Sequence, residues 1–186
     1  NQFQLSHEFL WEQGMVFLIS AVGIVVHRRP KAKEALQVST WEAGTRGAHF
    51  LRRFEVVDSD GRTAFESETA WVLVHPQTHR IYRPSQFPYS LPKLPEKTVA
   101  IEALRRIEIP PEMDFLGKRK IVYSDIDANG HVNNGIYPAI AYDFYWRALE
   151  DAWPENFTAR MTFSSEAHLG EILELYGKVL PDRVVV

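Results

Sequence analysis

Residues 124–137 read SDIDANGHVNNGIY, and the reading of this stretch decides how the rest of the chain is assembled. Eight of its fourteen residues are Asp, Asn, Gly or His. The segment before it, Arg119 to Tyr123, is strand-like. After it Ile136, Ile140, Phe144 and Ala148 recur every fourth residue, which predicts a helix from about Asn134 to Ala152. Pro138 suits that helix only in its first turn, where no backbone N–H is missed. A polar turn at a strand-to-helix junction can be no more than a cap, because Asp and Asn side chains accept the free N–H groups of a first turn. The density of donors and acceptors here, with His131 at the centre, exceeds what one cap requires. A calcium loop fits less well. Asp125, Asp127, Asn129 and Gly130 match its early positions, but Ile136 stands where a bidentate acid must close the site.

Upstream, residues 3–13 carry Leu5, Phe9 and Leu10, a short helical signature that stops at Gly14. Four runs rich in β-branched and aromatic residues follow: 15–27, 35–41, 49–57 and 63–74. Asp58-Ser59-Asp60-Gly61 joins the last two as a hairpin, and His75-Pro76-Gln77-Thr78 ends the fourth. Residues 84–111 hold six of the eleven prolines and read as a surface linker, with one short helix at 98–106. Downstream of the helix lie two more strands, 158–164 and 171–180. The order is helix, antiparallel strands, linker, strand, helix, strands, an α+β chain.

That order hints at an internal duplication. Setting Glu34 on Glu171, an offset of 137, puts Ile24 and Val26 on Met161 and Phe163, and Leu36 and Val38 on Leu173 and Leu175. With this offset the counterpart of Val74 falls 25 residues beyond Val186, and that of Asp125 before Asn1. Both repeats are therefore expected to be clipped at their outer ends. The chain opens on Asn rather than Met, so an earlier segment, including a targeting peptide, is an open expectation.

Composition narrows the functional classes. The 186 residues include 21 Lys plus Arg and 24 Asp plus Glu, a net charge of −3, which argues against a general nucleic-acid binder. The longest apolar run, Met15 to Val26, is too short to span a bilayer as a helix. There is no cysteine. This excludes disulfides, thiolate metal sites and a cysteine nucleophile in these residues, and is compatible with a cytoplasmic location.

The run D-x-D-x-N-x-H-V-N-N followed by an aromatic resembles the acyl-acyl-carrier-protein thioesterases, tandem hotdog proteins of bacteria and plastids. Arg29-Pro30, Ser39-Thr40-Trp41, Arg53-Phe54, Asp60-Gly61 and Trp71-Val72-Leu73 resemble the first half of that family. The resemblance implies a double hotdog fold, antiparallel sheets each wrapping a central helix. It implies an N-terminal unit at 1–83, a Pro-rich linker at 84–117 and a C-terminal catalytic unit at 118–186. It implies Asp127, Asn129, His131 and Glu166 as catalytic residues, with no metal or organic cofactor. The implied substrate is a fatty acyl thioester on acyl carrier protein. Family members of plants carry a cysteine after the acid matched by Glu166; here it is Ala167. The expected partner is the carrier protein, with no nucleic acid and no membrane; the oligomeric state is open, a homodimer included. An acyl-CoA thioesterase and a non-catalytic acyl-binding hotdog protein are the competing readings.

The chemistry of a thioester agrees with those residue types. Its thiol leaves easily, with a pKa near 8.5. Hydrolysis then needs an activated water, a polarised carbonyl and an orienting partner. Glu166 or His131 can take the water's proton. Asn129 can hold the water or the carbonyl, and Asp127 can orient the imidazole or the loop. Backbone N–H groups around His131 to Asn134, at the predicted helix start, are candidate oxyanion donors.

The repeat offset puts Arg29 opposite Glu166, so one active site is expected, in the second unit, with the acyl pocket supplied by the first from Met15 to Ile24. His27, His49, His75, His79 and His168 read as ordinary strand or loop residues. Trp41 and Trp71 read as core before pocket wall. The basic clusters at Arg28, Arg29, Lys31 and Lys33, at Arg105 and Arg106, and at Lys118, Arg119 and Lys120 are either solvated faces or a landing site for an acidic carrier.

Overall fold

The runs rich in Val, Ile, Phe and Trp form long strands, because stiff branched and flat side chains pack on a pleated surface. The computed structural model describes residues 5–91, 97–145 and 154–186. After a short helix, α1 (His7–Glu12), come β1 (Val16–Val26), β2 (Leu36–Arg46), β3 (His49–Asp58), β4 (Thr63–Val74) and β5 (Ile81–Tyr82). Then follow β6 (Asp114–Lys120), a 3-10 turn at Tyr123–Asp125, α2 (Ile136–Tyr145), β7 (Phe157–Thr162), β8 (Ile172–Val179) and β9 (Val184–Val185). Ser6 caps α1 by accepting the Phe9 N–H. The expected helix residues 146–152 lie outside the described residues. Chain contacts divide the protein into two units, Asn1–Arg106 with Glu155–Phe163, and Ile107–Pro154 with Ser164–Val186.

In the first unit the strand order is β2-β3-β4-β1-β7, with β5 on β4, all antiparallel. One face of the sheet carries Phe50 and Leu73, which bury with Leu10 and Met15 against α1. Alternation turns Leu51 and Ala70 to the opposite face, where they pack with Ala21. A cross-strand row lies on that second face. Trp41 pairs with Arg53, Arg53 with Glu68, Glu68 with Gly23, and Gly23 with Arg160. Glu68 is 1% exposed, and the guanidinium groups of Arg53 and Arg46 compensate its charge at 2.9 and 3.3 Å.

Residues 97–106 cross this row, and the helix expected at 98–106 does not form. The side chains of Trp41 and Arg53 both donate to the Lys97 carbonyl, Ala100 N–H donates to Glu66, and Arg160 donates to the Arg105 carbonyl. Three of the segment's backbone groups are bound by sheet side chains, and these tertiary contacts override its local helical preference. Gly23 makes the crossing fit: a Cβ there would sit 2.6 Å from Leu104. Trp41 is buried, as expected of a core residue.

Strand β7, which the sequence order places with the C-terminal unit, is hydrogen-bonded to β1. Within that ladder Gly23 faces Arg160, residues separated by the repeat offset of 137. Two further boundaries differ from expectation. β2 runs on past Trp41 to Arg46 through a register shift between Glu42 and Gly44. The strand expected at 119–123 starts earlier, at Asp114, and stops at Lys120.

In the second unit the sheet order is β6-β8-β9. α2 packs on it: Ile140 buries with Ile121, Val132, Ala167 and Leu175, and Ile136, Tyr137 and Phe144 close over them. Ile136, Ile140 and Phe144 of the spacing-of-four stripe thus face this core, and Pro138 sits in the helix's first turn, where it is tolerated. Gly117 stands at a register shift in β6 with φ +151°, and a Cβ there would lie 2.6 Å from the Phe144 ring. Gly117→Val is therefore expected to destabilise the protein by about 2 kcal/mol or more, combining overpacking with left-handed strain. Urea unfolding followed by circular dichroism measures it; an unchanged midpoint would refute the packing argument.

Candidate active site

The chain leaves β6 through Ile121, fully buried, whose N–H donates to the Glu171 carbonyl while its own carbonyl accepts from Gly170. The 3-10 turn then delivers Asp125, 3% exposed. Its two oxygens accept both arms of the Arg119 guanidinium at 2.7 Å, and one also accepts the Val122 N–H at 2.9 Å. Hydrogen bonding to Arg119, aided by that N–H, lowers the Asp125 pKa to about 2, so it stays a carboxylate.

Residues 127–131 form a closed turn. Asp127 N–H donates to the His131 carbonyl at 3.0 Å, Gly130 N–H to the Asp127 carbonyl at 3.1 Å, and Asn129 N–H to the Asp127 carboxylate at 2.8 Å. Gly130 has φ +86°, which a Cβ would resist. The Asn129 side-chain amide lies 3.5 Å from the other Asp127 oxygen. The turn is stitched to two neighbours. Asn133 N–H donates to the Asp125 carbonyl at 2.9 Å, and Val132 N–H to the Ala167 carbonyl at 2.8 Å. This second bond brings Glu166, next to Ala167, up to His131.

The four residues expected from the sequence are thereby gathered in one unit. The His131 ring stands between two carboxylates: Nδ1 is 3.9 Å from Asp127 Oδ1 and Nε2 is 3.8 Å from Glu166 Oε1. These distances exceed hydrogen bonds by about 1 Å. Such gaps are common in free enzymes, whose catalytic contacts tighten around substrate. Asp127 and His131 are largely covered, whereas Glu166 is half-exposed.

The expected oxyanion donors need correction. α2 begins at Ile136 rather than at Asn134. Of the N–H groups from His131 to Asn134, those of Val132 and Asn133 are bound to Ala167 and Asp125. Those of His131 and Asn134 remain as donors, together with the Asn129 amide.

Three features went unread in the sequence. Arg119 stands between Lys118 and Lys120 in a basic cluster, yet the period of two in β6 turns it inward while its neighbours are exposed. His168, taken as an ordinary loop residue, faces His131 in a bridge, with its Nδ1 3.5 Å from the Gly130 carbonyl. Tyr137, the aromatic after the Asn pair, is partly buried beside Ala167 and Glu166; burial raises its pKa and keeps the phenol neutral. His75 accepts the Gln77 and Thr78 N–H groups, as a loop residue would, and His27 pairs with Glu66 at 2.7 Å. Among the described residues no group of three or more His, Asp or Glu side chains is placed to chelate a metal ion.

Comparison with known proteins places this geometry in context. Residues 3–86 match the acyl-ACP thioesterase N-terminal domain family, and residues 111–179 match the acyl-ACP thioesterase C-terminal domain family. Among solved structures, an acyl-ACP thioesterase from Bacteroides thetaiotaomicron is similar, with a TM-score of 0.82 at 22% identity over 95% of this chain and 71% of that one. The 12:0-ACP thioesterase from Umbellularia californica gives a TM-score of 0.72 at 19% identity, over 92% and 68%. At these identities the likeness shows the double hotdog fold. No curated protein sequence matches this one significantly.

Proposed function

The chain belongs to the acyl-ACP thioesterase family, and from that premise we propose that it hydrolyses fatty acyl thioesters on acyl carrier protein at Asp127, Asn129, His131 and Glu166, releasing the free fatty acid. The observation that carries this reading is the imidazole of His131 between two carboxylates. Asp127 is held by the N–H of Asn129 within its own turn, which suits it to orient the ring. Glu166, half-exposed, suits the task of taking a proton from water, directly or through His131. The water oxygen bonds to the acyl carbon and the carbonyl oxygen becomes an oxyanion, held by the remaining loop donors. Collapse breaks the C–S bond, and the departing sulfur takes the proton that the base accepted. The chain contains no thiol to form an acyl-enzyme. Turnover of a panel of acyl-carrier and acyl-CoA thioesters tests this reading. Hydrolysis dependent on the carrier supports it, preference for CoA favours the acyl-CoA reading, and binding without turnover refutes catalysis.

Carrier recognition is assigned to positive surface that is not already neutralised. Arg28 binds Glu34 and Asp58, Lys118 binds Glu174, and Arg119 binds Asp125. Arg105 and Arg106 are exposed. Reversing both charges is expected to raise KM for the acyl carrier protein several-fold with kcat nearly unchanged. An equal loss on a small acyl-pantetheine substrate would point to folding or chemistry instead. A cytoplasmic location is proposed from the absence of cysteine; no helix among the described residues is long and apolar enough to cross a membrane.

A further inference from the structure

We infer that the Arg119–Asp125 pair is a positioning element of the catalytic loop, anchoring to the sheet the turn that carries Asp127 and His131 and so setting the distance of His131 from both carboxylates. The inference rests on the reading of His131 given above. The hydrogen bonds of residues 127–131 are internal except at the Gly130 carbonyl, which lies 3.5 Å from His168 Nδ1 of an exposed loop. Attachment to β6 comes through Asp125. Arg119 lies in β6, paired with Leu173 of β8, so its backbone is part of the sheet. Its guanidinium grips Asp125 with two bonds of 2.7 Å. Asp125 in turn accepts Asn133 N–H through its carbonyl, and the neighbouring Val132 N–H reaches Ala167. A continuous path thus runs from the sheet through Arg119, Asp125 and residues 132–133 to the segment that bears Glu166.

The chemistry of the pair suits a fixed anchor. A planar fork meeting a carboxylate with two bonds specifies orientation as well as distance, which a lysine cannot reproduce. Asp125 is nearly inaccessible, and Arg119 is mostly covered. Asp125→Asn therefore takes from a largely covered guanidinium its hydrogen-bonded carboxylate, leaving only the more distant charge of Asp143, and the attachment weakens. Neither residue reaches the His131 ring, so any effect on turnover is exerted through the loop. The gaps to be closed at His131 are about 1 Å, and a misplacement of that size can cost roughly a hundredfold in rate.

The experiment compares Asp125→Asn and Arg119→Lys with the unaltered protein and with His131→Ala, each checked for folding by circular dichroism. Steady-state kinetics on an acyl-carrier substrate and the 15N imidazole spectrum are recorded, with His131→Ala identifying the His131 signals. The expected result is a fall of at least about tenfold in kcat with KM within threefold, and displaced His131 resonances. Signals of His27 and His75, in the first unit, should stay in place. A general loss of folded protein would lower all signals alike and move none, so it cannot imitate this result. If Asp125→Asn does not fold, Arg119→Lys, which keeps the charge and loses the fork, decides by the same readouts. Undisplaced His131 resonances in a folded variant overturn the inference, whether or not kcat falls. Displaced resonances with full kcat uphold the positioning and instead sink the role of His131 in hydrolysis.

Discussion

Replacing His131 with alanine is expected to lower kcat on an acyl-carrier thioester by at least about a hundredfold, the ordinary size of a lost general acid–base group. The expectation comes from position. The ring faces both Asp127 and Glu166, at 3.9 and 3.8 Å, so its removal breaks the relay at its centre. The ring is largely covered but is absent from the buried cluster of Ile121, Val132, Ile140, Ala167 and Leu175. Its loss should therefore leave the fold intact, which circular dichroism and thermal unfolding would verify. KM should change little, because the imidazole acts on the reacting atoms rather than on the acyl chain.

A comparable loss is expected for Glu166→Gln. The amide keeps the size and most hydrogen bonding of the carboxylate but cannot accept a proton from water. Glu166 is half-exposed and has no bonded cation among the described residues other than the adjacent His131, so the substitution breaks no structural ion pair. A fall in kcat near that of His131→Ala marks Glu166 as the base; a much smaller fall passes that role to His131. Asp127→Asn should cost less than either, because an amide still accepts the Asn129 N–H and preserves the turn. Should folded Glu166→Gln and His131→Ala proteins each keep more than half the unaltered rate, the proposed site is wrong and the loop is only a helix cap.

Features that depend on local periodicity and turn chemistry were legible in the residue order alone. The four strands of the first half, the Asp58–Gly61 hairpin and the apolar stripe Ile136, Ile140, Phe144 were legible because each is a pattern within a dozen residues. The run Asp127, Asn129, His131 was legible as a candidate site because its polar density is also local. Only the tertiary structure decided the contacts between distant segments. Residues 97–106 lie on the sheet instead of coiling because Trp41, Arg53, Glu66 and Arg160 bind the Lys97, Ala100 and Arg105 backbone from strands of that sheet. β7 joins β1, and His168 faces His131, through pairings that no local spacing encodes. Arg119 turns inward among exposed lysines because the carboxylate that receives it arrives six residues later, at the end of a turn. Glu166 comes beside His131 through one backbone bond between Val132 and Ala167, two loop residues far apart in sequence. Local patterns reflect the free energy of neighbouring residues; these contacts form only after the intervening chain is closed into place, and side chains far apart in sequence then select one arrangement.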